Sequence, residues 1–588
     1  MEEAASPGDG RRRKWPISAI CAVAVLIVGL GAGAWALREF PRACQGAPVT
    51  ITVAVQPEIG SAVREVAARF NVQTHDVRGR CVRVEIAERD PATVARMFTG
   101  RSLSSGGAGS PSAIDGWLPE SWIWMYLARS TPAGAQRVPF GVDSVATSPV
   151  VFATSTGTAA QLRQRKAAVN WSLLLKADAG HLGLSRRMLD PAASAAGIAT
   201  LMAAYKIDSA GLAGFAGGME SRSAITAPAL FTDLTTLARD QRSLMAVTEQ
   251  QVVAYDDTHR PNPAAALVPE EGTLSLDYPF GVTAPDPVRR EAAEAFRYAL
   301  LSRVGQDTFQ RFGFRTPSGT LSADLARRYG LAESAPKQLN LADPAKTALT
   351  SVREWTRLAP QVRLLVLLDA SGSMLGQAAG GRTRLQLAAR TLRSGLRLLP
   401  AGAQAGLWSV ATASSGGPGG GVGYRELVPM TAVTGGSGGR AGVGAGGTDG
   451  ADRIASAADR IRPAASAGTG LYDAILAAYR DIRQGHVADR PGAATGSAEI
   501  VLVLTDGDDD AVRLRGLYDA VRAQQDPRRP VRVVTVAFGP EAAGSGSLKQ
   551  VGELTGGVLY STGDPARLAV PLENALAPHL CVLGCSAR

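Results

Sequence analysis

The fold of this chain is decided by one stretch, Leu364-Leu365-Val366-Leu367-Leu368-Asp369-Ala370-Ser371-Gly372-Ser373-Met374. Its unbroken apolar run predicts a strand that is buried on both faces, as in a parallel sheet covered by helices. Asp369 begins the loop at the carboxyl end of that strand, and open α/β sheets bind ligands at this edge. One carboxylate and the hydroxyls of Ser371 and Ser373 make a cluster of hard oxygen donors, which suit Mg²⁺, Ca²⁺ or Mn²⁺.

Two later segments extend this pattern within residues 361–580. The apolar run from Ala498 to Leu504 predicts a second buried strand, which ends at Thr505-Asp506-Gly507, and Gly468-Thr469-Gly470 opens a helix. Strands and helices alternate throughout this region, which predicts an α/β fold with a doubly wound, mostly parallel sheet. The three loops can therefore meet at the carboxyl edge of one sheet.

These segments closely resemble the von Willebrand factor A domain and its metal-ion-dependent adhesion site. The matching motifs are L-L-D-A-S-G-S-M, G-T-G-L-Y-D-A-I and V-L-T-D-G, in the order that the family has them. The resemblance implies a Rossmann-like domain in which five residues hold Mg²⁺, or alternatively Mn²⁺ or Ca²⁺: Asp369, Ser371, Ser373, Thr469 and Asp506. Neutral hydroxyl ligands leave much of the ion's charge uncompensated, so we expect the ion to take a carboxylate from a protein partner.

A separate alternation of strands and helices covers residues 47–317. Its motifs are D-x-W-L-P from Asp115, S-P-V-V-F-A from Ser148, D-P-x-x-S-x-x-G from Asp190 and T-E-Q-Q from Thr248. In this order they resemble extracellular solute-binding proteins of the periplasmic type. The resemblance implies a two-lobed, periplasmic-binding-protein-like α/β domain whose lobes close by a hinge around a ligand cleft. Residues 318–360 are predicted to form a helical linker between the two domains.

Five residues are candidates for binding a solute in that cleft. Helix amino termini can hold an anion through their free N–H groups and dipole, and Ser61, Ser121 and Ser194 are expected at such termini. Asp115 and Glu249 are candidate cleft residues. The alternative for each of the five is simple helix capping or a surface position, and a basic amino acid or a metal stays open as the ligand.

The amino-terminal region predicts a membrane anchor. Residues 1–15 carry the basic cluster Arg11-Arg12-Arg13-Lys14, and residues 16–37 are uncharged and almost wholly apolar. About twenty such residues span a bilayer, and basic residues before them keep that end in the cytoplasm. We therefore expect a single-pass protein of the cell membrane with both domains outside. The alternative is a cleaved signal peptide, since Ala34-Trp35-Ala36 fits a small-x-small cleavage site.

The five cysteines are compatible with an exported chain. Disulfides form and persist outside the cytoplasm, and proximity in sequence suggests the pairs Cys44–Cys81 and Cys581–Cys585. The fifth, Cys21, lies within the predicted membrane segment. The sequence has no C-x-x-C pair and no histidine cluster that would indicate a zinc site.

Charge and motifs narrow the class of function. The net charge is +10, but the arginines are scattered and no basic stripe is interleaved with aromatic residues, so nucleic-acid binding is not expected. Five histidines, with no strand-to-helix G-x-S-x-G elbow, H-E-x-x-H or phosphate-binding loop, argue against an enzyme. We expect a membrane-anchored binding protein whose second domain docks a protein partner through a divalent cation. The alternative is a solute-binding or transport-associated receptor that captures a small molecule in its first domain.

Overall fold

The structure is a computed structural model, and it describes most of the two predicted domains. The described residues are 46–99, 114–176, 183–220, 222–236, 242–358, 361–378, 381–396, 399, 403–411, 423–433, 450–463, 470–484, 497–507, 511–526, 530–539, 546–564 and 568–576. The predicted basic tail and membrane anchor, residues 1–15 and 16–37, lie outside them. None of the helices in the described part is both long and apolar enough to cross a bilayer.

The first domain alternates strands and helices, as its sequence predicts. Its elements are β1 (Gly46–Val55), α1 (Pro57–Val72), β2 (Asp76–Val77), β3 (Arg80–Glu88), α2 (Pro91–Phe98), β4 (Gly116–Leu118), α3 (Trp122–Ala128), α4 (Pro132–Arg137), β5 (Ser148–Ser155), α5 (Thr156–Gln164), α6 (Ser172–Leu175), β6 (Leu184–Leu189), α7 (Ala195–Ile207), α8 (Leu212–Glu220), β7 (Ser223–Ala224), α9 (Ala227–Thr236), β8 (Arg242–Thr248), α10 (Glu249–Thr258), β9 (Ala264–Leu267), β10 (Ser275–Leu276), β11 (Gly281–Val282), α11 (Pro287–Leu301), α12 (Arg303–Arg311), α13 (Ala323–Tyr329) and α14 (Pro344–Leu358). The chain passes from one sheet to another after β4 and returns after β10, which divides the domain into two lobes.

The first lobe is built on a sheet with the strand order β11-β4-β1-β3-β2. Strand β1 runs parallel to both β3 and β4 at its centre, and Ile51 and Val53 on it are fully buried. Helix α1 begins directly after β1, because Pro57 already has the backbone angle of a first helical residue and Gln56 caps the N–H of Glu58. The prediction that Ser61 begins this helix is therefore wrong, since that residue lies one turn inside it.

The second lobe has a sheet with the order β10-β5-β8-β6-β7, and β9 also pairs with β5. Strand β8 is parallel to β6 and antiparallel to β5. Helix α14, in the segment predicted as a linker, packs its apolar face into the core of this first domain through Ala348, Val352 and Trp355. Much of the segment 318–360 therefore belongs to the first domain and does not act as a free spacer.

The second domain has the predicted doubly wound architecture. Its elements are β12 (Gln361–Asp369), a short 3₁₀ turn (Gly372–Leu375), α15 (Arg384–Leu396), β13 (Gln404–Val410), β14 (Tyr424–Ala432), α16 (Gly450–Asp459), α17 (Leu471–Gln484), β15 (Ser497–Thr505), α18 (Ala511–Gln524), β16 (Val531–Phe538), α19 (Gly546–Thr555), β17 (Leu559–Thr562) and α20 (Ala569–Leu576). The sheet order is β14-β13-β12-β15-β16-β17, and all neighbouring pairs except β13–β14 are parallel.

Strand β12 is buried on both faces, as its apolar run predicts. Leu364, Val366 and Leu368 enter the hydrophobic core on one side of the sheet, and Leu365 and Leu367 enter the core on the other side. The strand order reverses direction at β12, because β13 follows on one side and β15 lies on the other. Such a switch point opens a crevice at the carboxyl ends of the two strands, where α/β proteins bind ligands.

The two domains share a buried interface. At the start of β16, the guanidinium of Arg532 lies 3.2 Å from the Asp190 carboxylate and donates to the carbonyl and hydroxyl of Ser223 at 2.9 and 3.0 Å. Ala193 and Ile225 of the second lobe join the hydrophobic core of the second domain. The first domain therefore packs directly against the second domain's sheet beside its β17 edge.

Candidate functional site

Four of the five predicted metal ligands come together at the switch point of the second domain. Asp369 ends β12, and Asp506 directly follows β15. The hydroxyl of Ser373 donates to Oδ1 of Asp506 at 2.8 Å and lies 2.9 Å from the hydroxyl of Ser371. The fifth predicted ligand, Thr469, lies outside the described residues.

Asp369 is the most deeply placed member of this cluster. Its carboxylate accepts hydrogen bonds from the backbone N–H of Ser371 at 2.8 Å and from the hydroxyl of Thr505 at 2.6 Å. Burial raises the pKa of Asp369 to about 6, although the hydrogen bonds from Thr505 and Ser371 act in the opposite direction. The carboxylate is thus fixed in orientation by two neighbouring loops, with Thr505 as a supporting residue that the sequence reasoning did not single out.

Arg384 is a further member of the site that the sequence did not reveal. Its guanidinium donates to Oδ2 of Asp506 at 2.6 Å, while Oδ1 of the same carboxylate accepts from Ser373. The sequence pattern predicts only that Arg384 begins helix α15. Its contact with Asp506 depends on the path of the loop before that helix, which the sequence pattern does not predict. The cluster thus carries a positive charge supplied by the chain itself.

The donor types at this edge fit a hard divalent cation. The described residues contain no group of three or more His, Cys, Asp or Glu side chains that could hold a metal, and this cluster instead combines two carboxylates with serine hydroxyls. Oxygen ligands of this kind suit Mg²⁺, Mn²⁺ or Ca²⁺. Asp369 and Ser371 are buried whereas Ser373 is exposed, so an ion held here would be reachable from solvent.

Two of the predicted helix termini in the first domain are confirmed, but each is already occupied by a carboxylate of the chain. Ser121 caps α3 and Ser194 caps α7. Asp277 accepts from the first backbone N–H of α3 and from the Ser121 hydroxyl, at 2.9 and 3.1 Å. Glu120 accepts from the first N–H of α7 and from the Ser194 hydroxyl. Ser61 is exposed on α1 and does not belong to this group.

Asp115 and Glu249 have structural roles, which corrects their assignment to the ligand cleft. The Asp115 carboxylate accepts from the backbone N–H of Thr52 at 2.9 Å and from Arg289 at 2.6 Å, and burial raises its pKa. Glu249 forms a two-pronged ion pair with Arg315 at 2.7 and 2.9 Å. Both pairs join distant segments of the first domain to each other. Neither carboxylate lines the cavity of about 1140 Å³ that lies between the two lobes and the second domain.

That cavity, of about 1140 Å³, lies between the two lobes and the second domain. Ser194 is the one predicted cleft residue on its wall. The wall residues that sequence reasoning missed include Glu58, Phe231, Tyr255, His259 and, from the second domain, Tyr560. Tyr255 lies on α10 and His259 directly follows this helix, four residues later, and this spacing was a usable signal. Nothing in the sequence indicated that the second domain contributes to the wall.

Two acidic side chains near this cavity, Glu58 and Glu120, have strongly raised pKa values. Glu58 accepts from the hydroxyl of Thr248 at 2.6 Å and from the amide of Gln251 at 3.2 Å, at the start of α10. Burial raises the pKa of Glu58 to about 7. Burial and the nearby charge of Glu58 raise the pKa of Glu120 to about 8. The charge of Glu58 therefore opposes ionisation of Glu120.

The first domain matches a described family, and a longer relative aligns with most of the chain. Residues 51–315 match the family described as bacterial extracellular solute-binding protein. An uncharacterized protein of Mycobacterium tuberculosis H37Rv, Rv1836c, is 26% identical over 605 aligned residues, which cover 93% of this chain and 81% of that protein.

Two solved structures each overlap a different part of the chain. A periplasmic thiamin binding protein overlaps 53% of this chain and 96% of its own, at 14% identity and a TM-score of 0.38. A von Willebrand factor type A protein from Catenulispora acidiphila overlaps 37% of this chain and 43% of its own, at 16% identity and a TM-score of 0.27.

Proposed function

We propose that this chain is a membrane-anchored, extracytoplasmic binding protein whose second domain holds a divalent cation and docks a protein partner through a carboxylate. The observation that carries the proposal is the assembly of Asp369, Ser371, Ser373 and Asp506 at the switch point of the sheet, with the Ser373 side chain open to solvent. Residues 16–37 would anchor the chain, and both domains would lie outside the cell.

In this proposal the serine hydroxyls and Thr469 would hold the ion, and Asp369 and Asp506 would orient the ligands around it. The ion would supply a positive centre that attracts a carboxylate oxygen of the partner. Asp369 keeps the Ser371 loop in place, and Arg384 balances the charge of Asp506. This arrangement offers a docking point for an anionic oxygen, so we propose binding and not catalysis.

A displayed peptide library tests this function and does not require the partner to be identified first. Peptides are selected on the full-length chain in Mg²⁺ and released with EDTA. The proposal predicts that released peptides depend on an Asp or Glu, lose binding when it becomes Asn or Gln, and do not bind the Ser373→Ala variant. Peptides that bind equally in EDTA, or equally to Ser373→Ala, would contradict it.

Capture of a small molecule by the first domain is a second candidate function. It is favoured by the cavity between the lobes and by the solute-binding family match over residues 51–315. A thermal-shift screen of the full-length chain with anions, sugars, metals and amino acids tests it. A ligand that raises the unfolding temperature and loses this effect in a cavity-wall variant would support the function, and no shift across the screen would count against it.

A further inference from the structure

Strand β17 is the last strand of the second domain's sheet, and only one of its two edges has a partner. It runs parallel to β16, with Thr535 opposite Leu559 and Phe538 opposite Thr562. Among the described residues, no strand follows β17 on its other side. We call this other side the open edge of β17, and such an edge can pair with a further strand.

The backbone contacts of β17 show which of its residues face the open edge. The carbonyls of Val558 and Thr562 accept from backbone N–H groups on the β16 side, both at 2.9 Å. Residues of a strand direct their N–H and C=O groups alternately to its two edges, so Leu559 and Ser561 direct theirs to the open edge. Outside the pairing with β16, the backbone of neither residue hydrogen-bonds to another described residue.

The cavity of about 1140 Å³ runs along the open edge. Its wall includes six consecutive residues, from Gly557 to Thr562, whereas no residue of β16, which the structure describes throughout, lines it. Side chains of a strand alternate between the two faces of a sheet, and here Tyr560 and Leu559 pack against the cores on opposite faces. A cavity over one face would meet only every second residue, so this cavity lies beside the strand.

The first domain supplies other parts of the wall. The first lobe contributes the consecutive residues from Ala87 to Pro91, and helix α10 of the second lobe contributes Gln251, Ala254 and Thr258. These three residues lie at helical spacing along α10 and are uncharged. Ala254 and Thr258 are exposed, as is Ser561 on β17. A peptide beside β17 would therefore meet accessible, uncharged side chains of α10.

The size and the free backbone groups of this site fit an extended peptide. Pockets for small molecules usually measure about 300–1,000 Å³, and this cavity is larger than that range. The free N–H and C=O groups of Leu559 and Ser561 stand two residues apart on one edge, which matches the repeat of another strand. Both lobes also line the cavity, which favours a single peptide segment over the folded sheet of a second copy.

We propose that the cavity binds an extended peptide segment of a partner protein, which adds as a strand to the open edge of β17. The backbone groups of Leu559 and Ser561 would hydrogen-bond to the peptide, and the uncharged side chains of α10 would contact its side chains. The inference goes beyond cation-dependent docking, because backbone pairing needs neither a metal ion nor a carboxylate. It also differs from capture of a small solute, because the second domain supplies the recognising groups.

A short strand peptide tests this pairing. The probe is a fluorescein-labelled Val-Thr-Val-Ala-Phe amide, the sequence of residues 534–538, because residues 535–538 already pair with β17 at its other edge. Its fluorescence anisotropy is measured as the full-length chain is added in EDTA, which removes any contribution from the proposed cation site. We expect saturable binding. An absence of saturable binding would overturn the proposal and would leave the cation-dependent docking standing.

Two backbone-modified copies of the probe separate strand pairing from side-chain contact. One copy is N-methylated at its first, third and fifth residues, and the other at its second and fourth. A strand offers the N–H groups of alternate residues to one neighbour, so we expect one copy to bind about tenfold more weakly than the unmodified probe and the other to bind about equally well. Equal affinities of the two copies would contradict pairing at the open edge.

Two substitutions of one residue locate the peptide on β17. Ser561→Pro removes the N–H group at the open edge, and proline is tolerated on edge strands when that N–H does not pair within the sheet. We expect it to weaken binding of the probe about tenfold. Ser561→Ala is the matched control, because it keeps the backbone N–H, and its affinity should stay within about twofold of wild type. The urea midpoint checks the folding of both variants. An unchanged affinity in Ser561→Pro, or an equal loss in Ser561→Ala, would overturn the assignment.

Discussion

The hydroxyl of Ser373 donates a hydrogen bond of 2.8 Å to the carboxylate of Asp506, although 133 residues separate them in the chain. The contact exists because β12 and β15 are neighbours in the sheet, so that their carboxyl ends deliver both loops to one place. The motifs that contain Ser373 and Asp506 lie far apart in the sequence, and the sheet brings them together into one cluster. The proposed cation-dependent docking depends on this juxtaposition.

Arg384 provides the first prediction, because its guanidinium binds the Asp506 carboxylate and would compete with a bound metal ion for it. Changing Arg384→Gln removes a positive charge beside the site and frees Oδ2 of the carboxylate. We expect Mn²⁺ to bind the variant about tenfold more tightly, since like charges nearby oppose cation binding. Isothermal titration of Mn²⁺ into both proteins measures the change.

A second arginine on the same helix supplies the control for this experiment. Arg393 of α15 pairs with Asp459 on the exposed surface, where ion pairs contribute little. Arg393→Gln should therefore leave the affinity for Mn²⁺ unchanged. An affinity for Mn²⁺ that stays the same or falls in Arg384→Gln would contradict the proposed competition between this arginine and the ion.

Arg532 is predicted to hold the two domains together. Arg532→Met leaves the buried carboxylate of Asp190 without its cationic partner, and breaking a buried pair on one side costs about 3 kcal/mol. We expect a lower midpoint of urea unfolding and faster proteolysis between the domains. Adding Asp190→Asn should restore part of the loss because it removes the unpaired charge.

The control for the domain contact is Lys549→Met, which removes an exposed cation from the same side of the second domain. It should change the urea midpoint by much less than Arg532→Met does. Wild-type stability and wild-type proteolysis in Arg532→Met would contradict the proposed role of this ion pair.

Glu120 predicts an unusual dependence of stability on pH. Its pKa is raised from 4.5 to about 8 in the folded protein, chiefly by burial. The folded state therefore keeps a proton that the unfolded state loses, so this group lowers the free energy of unfolding as the pH rises from about 4.5 toward 8. Glu120→Gln removes the titrating group and should raise that free energy by about 2–4 kcal/mol at pH 8 relative to wild type.

The same substitution should have a much smaller effect at pH 5, where the wild-type carboxyl is already protonated in the folded state. Urea unfolding of both proteins at the two pH values measures the difference. Glu294→Gln is a suitable control, because Glu294 lies on the partly exposed surface of α11. A constant difference between wild type and Glu120→Gln at both pH values would contradict the assignment.

The second domain could be predicted well because its signals are local. The apolar run before Asp369 defines a strand buried on both faces, and the observed alternation of Leu364 and Leu365 between the two cores confirms it. Strand β12 ends at Asp369 and β15 ends at Thr505, so Asp369 and Asp506 come to one edge once the sheet is parallel. Arg384 escaped prediction because its contact depends on the path of the loop between Met374 and α15.

The sequence predicts the architecture of the first domain, but it does not predict which side chains contact each other at the cleft. Ser121 and Ser194 cap helices as expected, yet the carboxylates of Glu120 and Asp277 that occupy those termini come from other segments of the chain. Such contacts are set by tertiary packing and leave no local pattern. The same reason explains why the sequence did not reveal the packing of α14 or the domain contact through Arg532.

The Cys81 side chain is disulfide-bonded in the structure. Cys44, Cys581 and Cys585 lie outside the described residues, so the pairings Cys44–Cys81 and Cys581–Cys585 stay predictions. Peptide mapping of the non-reduced chain identifies both pairs directly.

The central claim is that the second domain binds a divalent cation, and calorimetric titration of Mn²⁺ into metal-free protein tests it most directly. The control variant is Ser394→Ala, which removes an exposed hydroxyl from α15 without touching the cluster. We predict that wild type and Ser394→Ala bind about one ion per chain, and that Ser373→Ala binds at least about tenfold more weakly because a direct ligand is lost. Absence of binding to the wild type, or equal affinity in Ser373→Ala, would contradict it.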